Sequence, residues 1–213
     1  MHADQIDQGA TEPRSPHQPR RRYPKGELRR QQILDRTVEV FAELGFENTS
    51  LRAIGEAIGV SHAALRRYFD TREELFLEVL REKDRQALAE ALEHELLPVD
   101  LASGLEAYAA GAPGLMALRH SMVARAMEPD NELSRAFFTD RYRSLRGEAA
   151  HTLALGRAAG TVRGDLPLEV LASLVIAAMD GLSTQWLLEP EVPMLDGMHA
   201  LEQLLRPPGS ATS

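Results

Sequence analysis

The sequence predicts an all-α chain, with an N-terminal three-helix unit built on a helix-turn-helix and a larger bundle of amphipathic helices behind it. Three observations carry that expectation. Apolar residues recur at three- and four-residue spacing, and no stretch alternates with the period of two that a strand requires. Glycines and prolines interrupt the pattern at intervals that suit helix lengths. Finally, the stretch Leu51 to Phe69, LRAIGEAIGVSHAALRRYF, shifts its helical phase once, at Gly59 and Val60, as two short helices joined by a tight turn would.

Bulk properties narrow the classes. The 213 residues suffice for one or two compact domains, and the composition is that of a globular protein. No cysteine is present, which removes disulfides, thiolate metal sites and cysteine nucleophiles and fits a cytoplasmic location. The apolar run near residues 171–179 is shorter than the roughly 20 residues that cross a bilayer, so no membrane partner is expected. Arg20 to Arg22 are followed by a polar stretch rather than an apolar one, which argues against an export signal.

The net charge of −8 is unevenly placed. Residues 1–72 hold 12 basic against 10 acidic groups, and residues 73–213 hold 12 against 22. Phosphate attraction is local, because charges beyond about 10 Å are largely screened in cell-like salt. The basic surplus therefore lies where a nucleic-acid contact would need it. Only Lys25 and Lys83 are lysines, so the cations are almost all guanidinium, which suits bidentate contacts.

Taken in order, residues 1–24 are polar, hold four prolines and show no apolar period, which predicts a disordered basic arm. Its arginines either enter a minor groove or remain a solvated tail. A helix over residues 26–44 follows, with Leu28, Ile33, Leu34, Val38, Phe41 and Leu44 on one broad face. Gly45 ends it, and Phe46 can fold back on the bundle. Thr49 or Ser50 caps the next short helix. Gly59 supplies the turn, Ser61 caps the second helix, and Gly55 leaves room where the two cross closely. The outward seam of this pair carries Arg52, His62, Arg66, Arg67 and Tyr68, all donors to phosphates or base edges, so the unit reads as double-stranded DNA binding.

Thr71 caps a long helix from Arg72 to about Leu97. Further helices are expected over residues 100–110, 113–127, 131–159, 168–188 and 194–205, separated by Gly111, Pro129-Asp130, Gly160 and Pro190 to Pro193. The expected division is an arm at 1–24, a DNA-binding head at 25–72, a helical body at 73–205 and a flexible tail at 206–213. No P-loop, HExxH, GxSxG or dinucleotide turn is present, and the seven histidines are scattered, so neither an enzyme, a cofactor nor a metal site is expected.

Thr49-Ser50, Ile54, Ala57, Gly59-Val60-Ser61, Leu65, Tyr68-Phe69 and Thr71 to Leu75, preceded by Phe41 and Gly45-Phe46, resemble the N-terminal domain of TetR/AcrR-type transcriptional regulators. The likeness is close over residues 28–80. Farther on, GDLPLEVLASLVIAAMDGL at 164–182 looks like the penultimate helix of many members. The resemblance implies a dimeric regulator, most often a repressor, that a small-molecule effector releases from a palindromic operator. It implies base contacts from Arg52, His62, Ala63 and Arg67, and phosphate contacts from Thr49, Ser50, the Ala64 backbone, Tyr68 and Arg72. Arg66 stands where the family usually has tyrosine, and both a base and a phosphate contact remain open for it.

The last two helices carry more apolar surface than one protomer can use. Leu171, Leu174, Val175, Leu182, Met198, Leu201 and Leu205 are the expected homodimer interface, in a four-helix arrangement about a two-fold axis. Tyr108, Met116, His120, Met122, Phe138, Tyr142, Met179 and Trp186 are the candidate lining of a pocket for a largely hydrophobic effector. The alternatives are a DNA-binding or dimerisation module without a ligand and, behind it, an all-α enzyme.

Overall fold

The computed structural model describes residues 25–93 and 113–209. Among these residues the chain forms eight helices and no strand: α1 (Lys25–Asn48), α2 (Leu51–Ile58), α3 (His62–Leu65), α4 (Arg72–Glu93), α5 (Pro113–Ala126), α6 (Glu132–Ala158), α7 (Leu168–Leu188) and α8 (Met194–Leu205). The expected helix at 100–110, the basic arm and Tyr108 lie outside the described residues.

The head is assembled by chain reversals that the sequence specifies locally. Gly45 takes φ 70° and ψ 178°, a conformation that a side chain would strain, and it breaks the helical path of α1. Phe46 is thereby turned back against Phe41 and Phe76, with ring centroids 6.4 and 5.8 Å away. The Ser50 hydroxyl accepts from the Ala53 amide at 3.0 Å and caps α2; Gly59, left-handed at φ 69°, ends it. A Cβ on Gly55 would lie 2.5 Å from the Val60 carbonyl oxygen, so the α2–α3 crossing requires glycine there. α3 itself is a single turn. Its path continues through i→i−3 and i→i−4 bonds, with the Tyr68 and Phe69 amides both donating to the Leu65 carbonyl.

The core does not stop at the expected boundary after residue 72. Ile33, Leu34, Val38 and Phe41 of α1, Ile54, Leu65 and Phe69 of the helix-turn-helix, and Leu75, Phe76, Val79 and Leu80 of α4 share one buried cluster with Leu115, Leu118 and Met122 of α5 and Phe138 of α6. α1 and α5 meet at backbone distance, because a Cβ on Gly114 would lie 2.6 Å from the Ala42 Cβ and 3.2 Å from the Val38 carbonyl oxygen. Two smaller clusters serve the far end. Leu153, Val162, Leu171, Ala172, Val175 and Leu205 form one, and Met116, Met194 and Met198 the other.

Those clusters correct part of the expected interface. Leu171, Val175, Met198 and Leu205 are buried within their own protomer, because they face α6, α5 and each other. Leu182 and Leu201 are half-buried, and Leu174 is 52% exposed. Val170 at 49% and Leu204 at 67% extend the uncovered apolar surface on the same two helices. α7 spans 21 residues and is long and apolar enough to cross a bilayer by length and composition alone, with a mean hydropathy of 1.4 in its most apolar window. It also packs on α6 and α8 and carries Asp180, whose carboxylate accepts from Tyr142 of α6 at 2.6 Å.

Gly55→Val should destabilise the chain by about 1 to 3 kcal/mol through overpacking. Denaturant unfolding checks this, and an unchanged midpoint would mean that the α2–α3 crossing is looser than described.

Candidate nucleic-acid interface

The helix-turn-helix buries Leu51, Ile54, Val60, Leu65 and Phe69 and leaves Ser50, Arg52, Ser61, His62, Ala63, Arg66 and Arg67 exposed. Of the seam that sequence spacing put outward, Arg52, His62, Arg66 and Arg67 are exposed and Tyr68 is only partly so. Three guanidiniums, Arg52, Arg66 and Arg67, stand there against the carboxylates of Glu56 and Asp70. Arg52 is hydrogen-bonded through Nε to Glu56, which raises its guanidinium above its ordinary pKa. The Ser50 and Ser61 hydroxyls accept from the Ala53 and Ala64 amides as caps, and each keeps its own proton to donate. Tyr68 is half-buried, its ring 6.3 Å from that of Phe69.

Three of the expected contacts are committed elsewhere. Thr49 is fully buried and its hydroxyl donates to the Gly45 carbonyl, so it stabilises the end of α1 instead of meeting a phosphate. The Ala64 amide is taken by the Ser61 cap at 3.2 Å. Arg72 Nη1 donates to the carbonyls of Phe46 at 2.9 Å and Thr49 at 3.3 Å.

Arg72 belongs to a joint that the sequence did not announce. Its guanidinium lies 4.4 Å from the Phe46 ring centroid, and that of Arg125, at the end of α5, lies 5.8 Å from it. Arg125 donates through Nε and Nη2 to one oxygen of Glu73, at 3.0 and 2.7 Å, and the Asn131 amide donates to that oxygen at 2.7 Å. Asn131 is also the N-cap of α6. The end of α1 and the starts of α4 and α6 thus meet the end of α5 around one ring. Burial pushes the Glu73 carboxyl up, but hydrogen bonds from Arg125 and Asn131 and the charges of Arg125 and Arg72 outweigh it and hold the carboxyl below its ordinary range. A second tie joins α4 to α6, where Arg141 reaches Asp84 with two bonds of 2.6 and 2.9 Å.

In the body, the candidate ligand residues divide. Met122 and Phe138 are enclosed in the main core and Met116 in the methionine cluster. His120, Tyr142, Met179 and Trp186 are half-buried. The His120 ring is hydrogen-bonded to Ser183 at 3.0 Å and Thr184 at 3.3 Å, linking α5 to α7; burial, assisted by Arg119, pushes its pKa down. Partial burial and the hydrogen bond to Asp180 raise the pKa of Tyr142. A groove of about 690 Å³ opens between α4 and α6, lined by Arg81, Asp84, Arg85, Ala87, Phe137, Asp140, Arg141, Ser144, Leu145 and Glu148. Their spacing of three and four on each helix is the sequence signal that places them on facing sides.

Comparison with known proteins agrees with this geometry. Residues 33–79 match the family described as bacterial regulatory proteins, tetR family, and residues 112–206 match the BetI-type transcriptional repressor C-terminal family. An HTH-type transcriptional repressor of Mycobacterium tuberculosis is 30% identical over 72% of this chain and 80% of its own length. The HTH-type transcriptional repressor AcnR of Corynebacterium efficiens is 33% identical over 71% and 78%. Among solved structures, the transcriptional regulator FadR of Bacillus subtilis in complex with stearoyl-CoA has a TM-score of 0.66 at 18% identity, covering 82% of this chain and 96% of its own. A regulator from Saccharomonospora viridis in complex with choline has a TM-score of 0.66 at 21% identity, covering 84% and 95%.

Glu73→Gln should cost about 1 to 2 kcal/mol at neutral pH, because it weakens the charged hydrogen bonds from Arg125 and Asn131. A carboxylate whose folded pKa is depressed adds stability above its unfolded pKa, about 4.3, and loses it as pH falls through the lower folded value. The stability gap between the unsubstituted protein and Glu73→Gln should therefore close below about pH 4; a gap independent of pH would contradict the joint.

Proposed function

The chain belongs to the TetR family of bacterial regulatory proteins, and we propose that it is a dimeric repressor that holds a palindromic operator and releases it when a small effector binds. The regulatory class rests on the family; the dimer, the operator and the effector are our reading. The observation that carries it is the exposed cationic seam of Arg52, Arg66 and Arg67 on a helix pair fixed from behind by a continuous core.

In this reading α3 enters the major groove. Arg52, His62, Ala63 and Arg67 meet base edges, and Ser50 and Tyr68 meet the backbone. Arg66 reads a base or holds a phosphate. Two heads must be spaced to match half-sites one helical turn, about 34 Å, apart. The uncovered surface of Val170, Leu174 and Leu204, with the half-buried Leu182 and Leu201, supports pairing of α7 and α8 with their symmetry mates. Such pairing would also cover the apolar face of α7 that one protomer leaves open.

The effector reading is supported by the small molecules named with two structures of the same fold, stearoyl-CoA and choline. We place a largely hydrophobic effector against Tyr142, Met179, Trp186 and His120. An effector that favours a shifted α5 would act on the head through the Gly114–Ala42 contact and the Arg125–Glu73 joint, and it would weaken DNA binding by the ratio of its affinities for the two forms. The tight enclosure of Met116, Met122 and Phe138 favours a second reading, a DNA-binding dimer with no ligand.

Titration of purified protein against the palindrome upstream of its own or a neighbouring gene tests the function. Binding should be sequence-selective and salt-sensitive, and Arg67→Ala should cost about 1 to 3 kcal/mol while leaving the fold intact. Absence of any salt-sensitive preference would sink the reading. Leu174→Glu should produce a folded monomer by light scattering that no longer binds the full palindrome; a stable dimer would move the interface elsewhere.

A further inference from the structure

Resting on the DNA-reading function above, we propose that Glu56 is a positioning residue for base recognition, holding the Arg52 guanidinium by Nε so that its two Nη groups face a guanine together. Arg52 Nε donates to Glu56 Oε1 at 2.9 Å across one turn of α2. Their side chains are 81% and 66% exposed, so the pair adds little to the stability of the fold. An acid on a face that meets phosphates opposes binding through its charge. A carboxylate there needs a compensating task, and fixing the arginine is the one its contact shows.

The geometry fits that task. A guanine presents O6 and N7 as neighbouring acceptors, and a guanidinium reads both only when two N–H groups arrive in the base plane. Free Arg52 would lose the freedom of a long side chain on binding; the Glu56 bond removes part of it beforehand while leaving the Nη edge unused. The Glu56 backbone is fixed, since its carbonyl accepts from the Gly59 amide at the α2 cap. The Val60 amide donates to the Gly55 carbonyl at 2.8 Å, which ties this pair to His62 on α3 and to Arg66 and Arg67 just beyond it.

The test compares full-length protein with Arg52→Ala, Glu56→Ala and Glu56→Gln, each confirmed folded by thermal unfolding, on operator duplexes substituted one base pair at a time. Arg52→Ala should lose about 5- to 150-fold discrimination at one guanine of each half-site. Glu56→Ala should lose several-fold discrimination at that same guanine, yet bind non-specific DNA more tightly because an acid has gone. Glu56→Gln, which keeps an acceptor oxygen without the charge, should restore most of the discrimination. The proposal is overturned if both Glu56 variants gain affinity for every sequence alike with the guanine preference intact, or if the loss falls at another base pair, which would make Glu56 a direct reader. Lack of any sequence preference in the unsubstituted protein would instead refute the DNA-reading function itself.

Discussion

The clamp on Phe46 is the contact on which the rest of the molecule depends. A positive-φ glycine turns the ring inward, and two guanidiniums from different helices close on it. Each of those arginines is anchored again, Arg72 on the carbonyls that end α1 and Arg125 on Glu73. A cation against an aromatic face gains about 0.5 to 2 kcal/mol depending on desolvation, but the greater consequence is geometric. The head cannot rotate on α4 without breaking the charged hydrogen bonds from Arg72 to the Phe46 and Thr49 carbonyls.

That constraint explains how an overall acidic chain presents a basic reading face. Acidic groups of α4 are engaged in ion pairs, Asp84 with Arg141, Glu82 with Arg85 and Glu78 with Arg30 of α1. The three guanidiniums of the helix-turn-helix remain exposed beyond that screen. Because the main core runs without interruption from Ile33 to Phe138, head and inner body behave as one packed unit, and a displacement of α5 has no soft layer in which to dissipate.

Local signals made the fold readable. Ser50, Gly59 and Ser61 act through their own neighbours, so the helix-turn-helix and its outward seam could be placed from spacing, and α7 and α8 begin and end beside prolines where expected. Tertiary commitments were not readable. Thr49 and Arg72 carry donors that suit a phosphate, and only the folded chain brings the Gly45, Phe46 and Thr49 carbonyls to them. Periodicity marked Leu171, Val175, Met198 and Leu205 as apolar without saying that α5 and α6 already cover them. The Gly114–Ala42 contact has no signature beyond small residues on two distant helices.

The proposed function requires two copies of one head to read DNA through the α2–α3 seam. A base-resolution footprint of guanine N7 protection by the full-length protein measures it most directly. Two symmetric major-groove patches are expected, with centres one helical turn, about 34 Å, or a multiple of it apart. A single patch, or protection of the backbone with every guanine N7 left reactive, would contradict it.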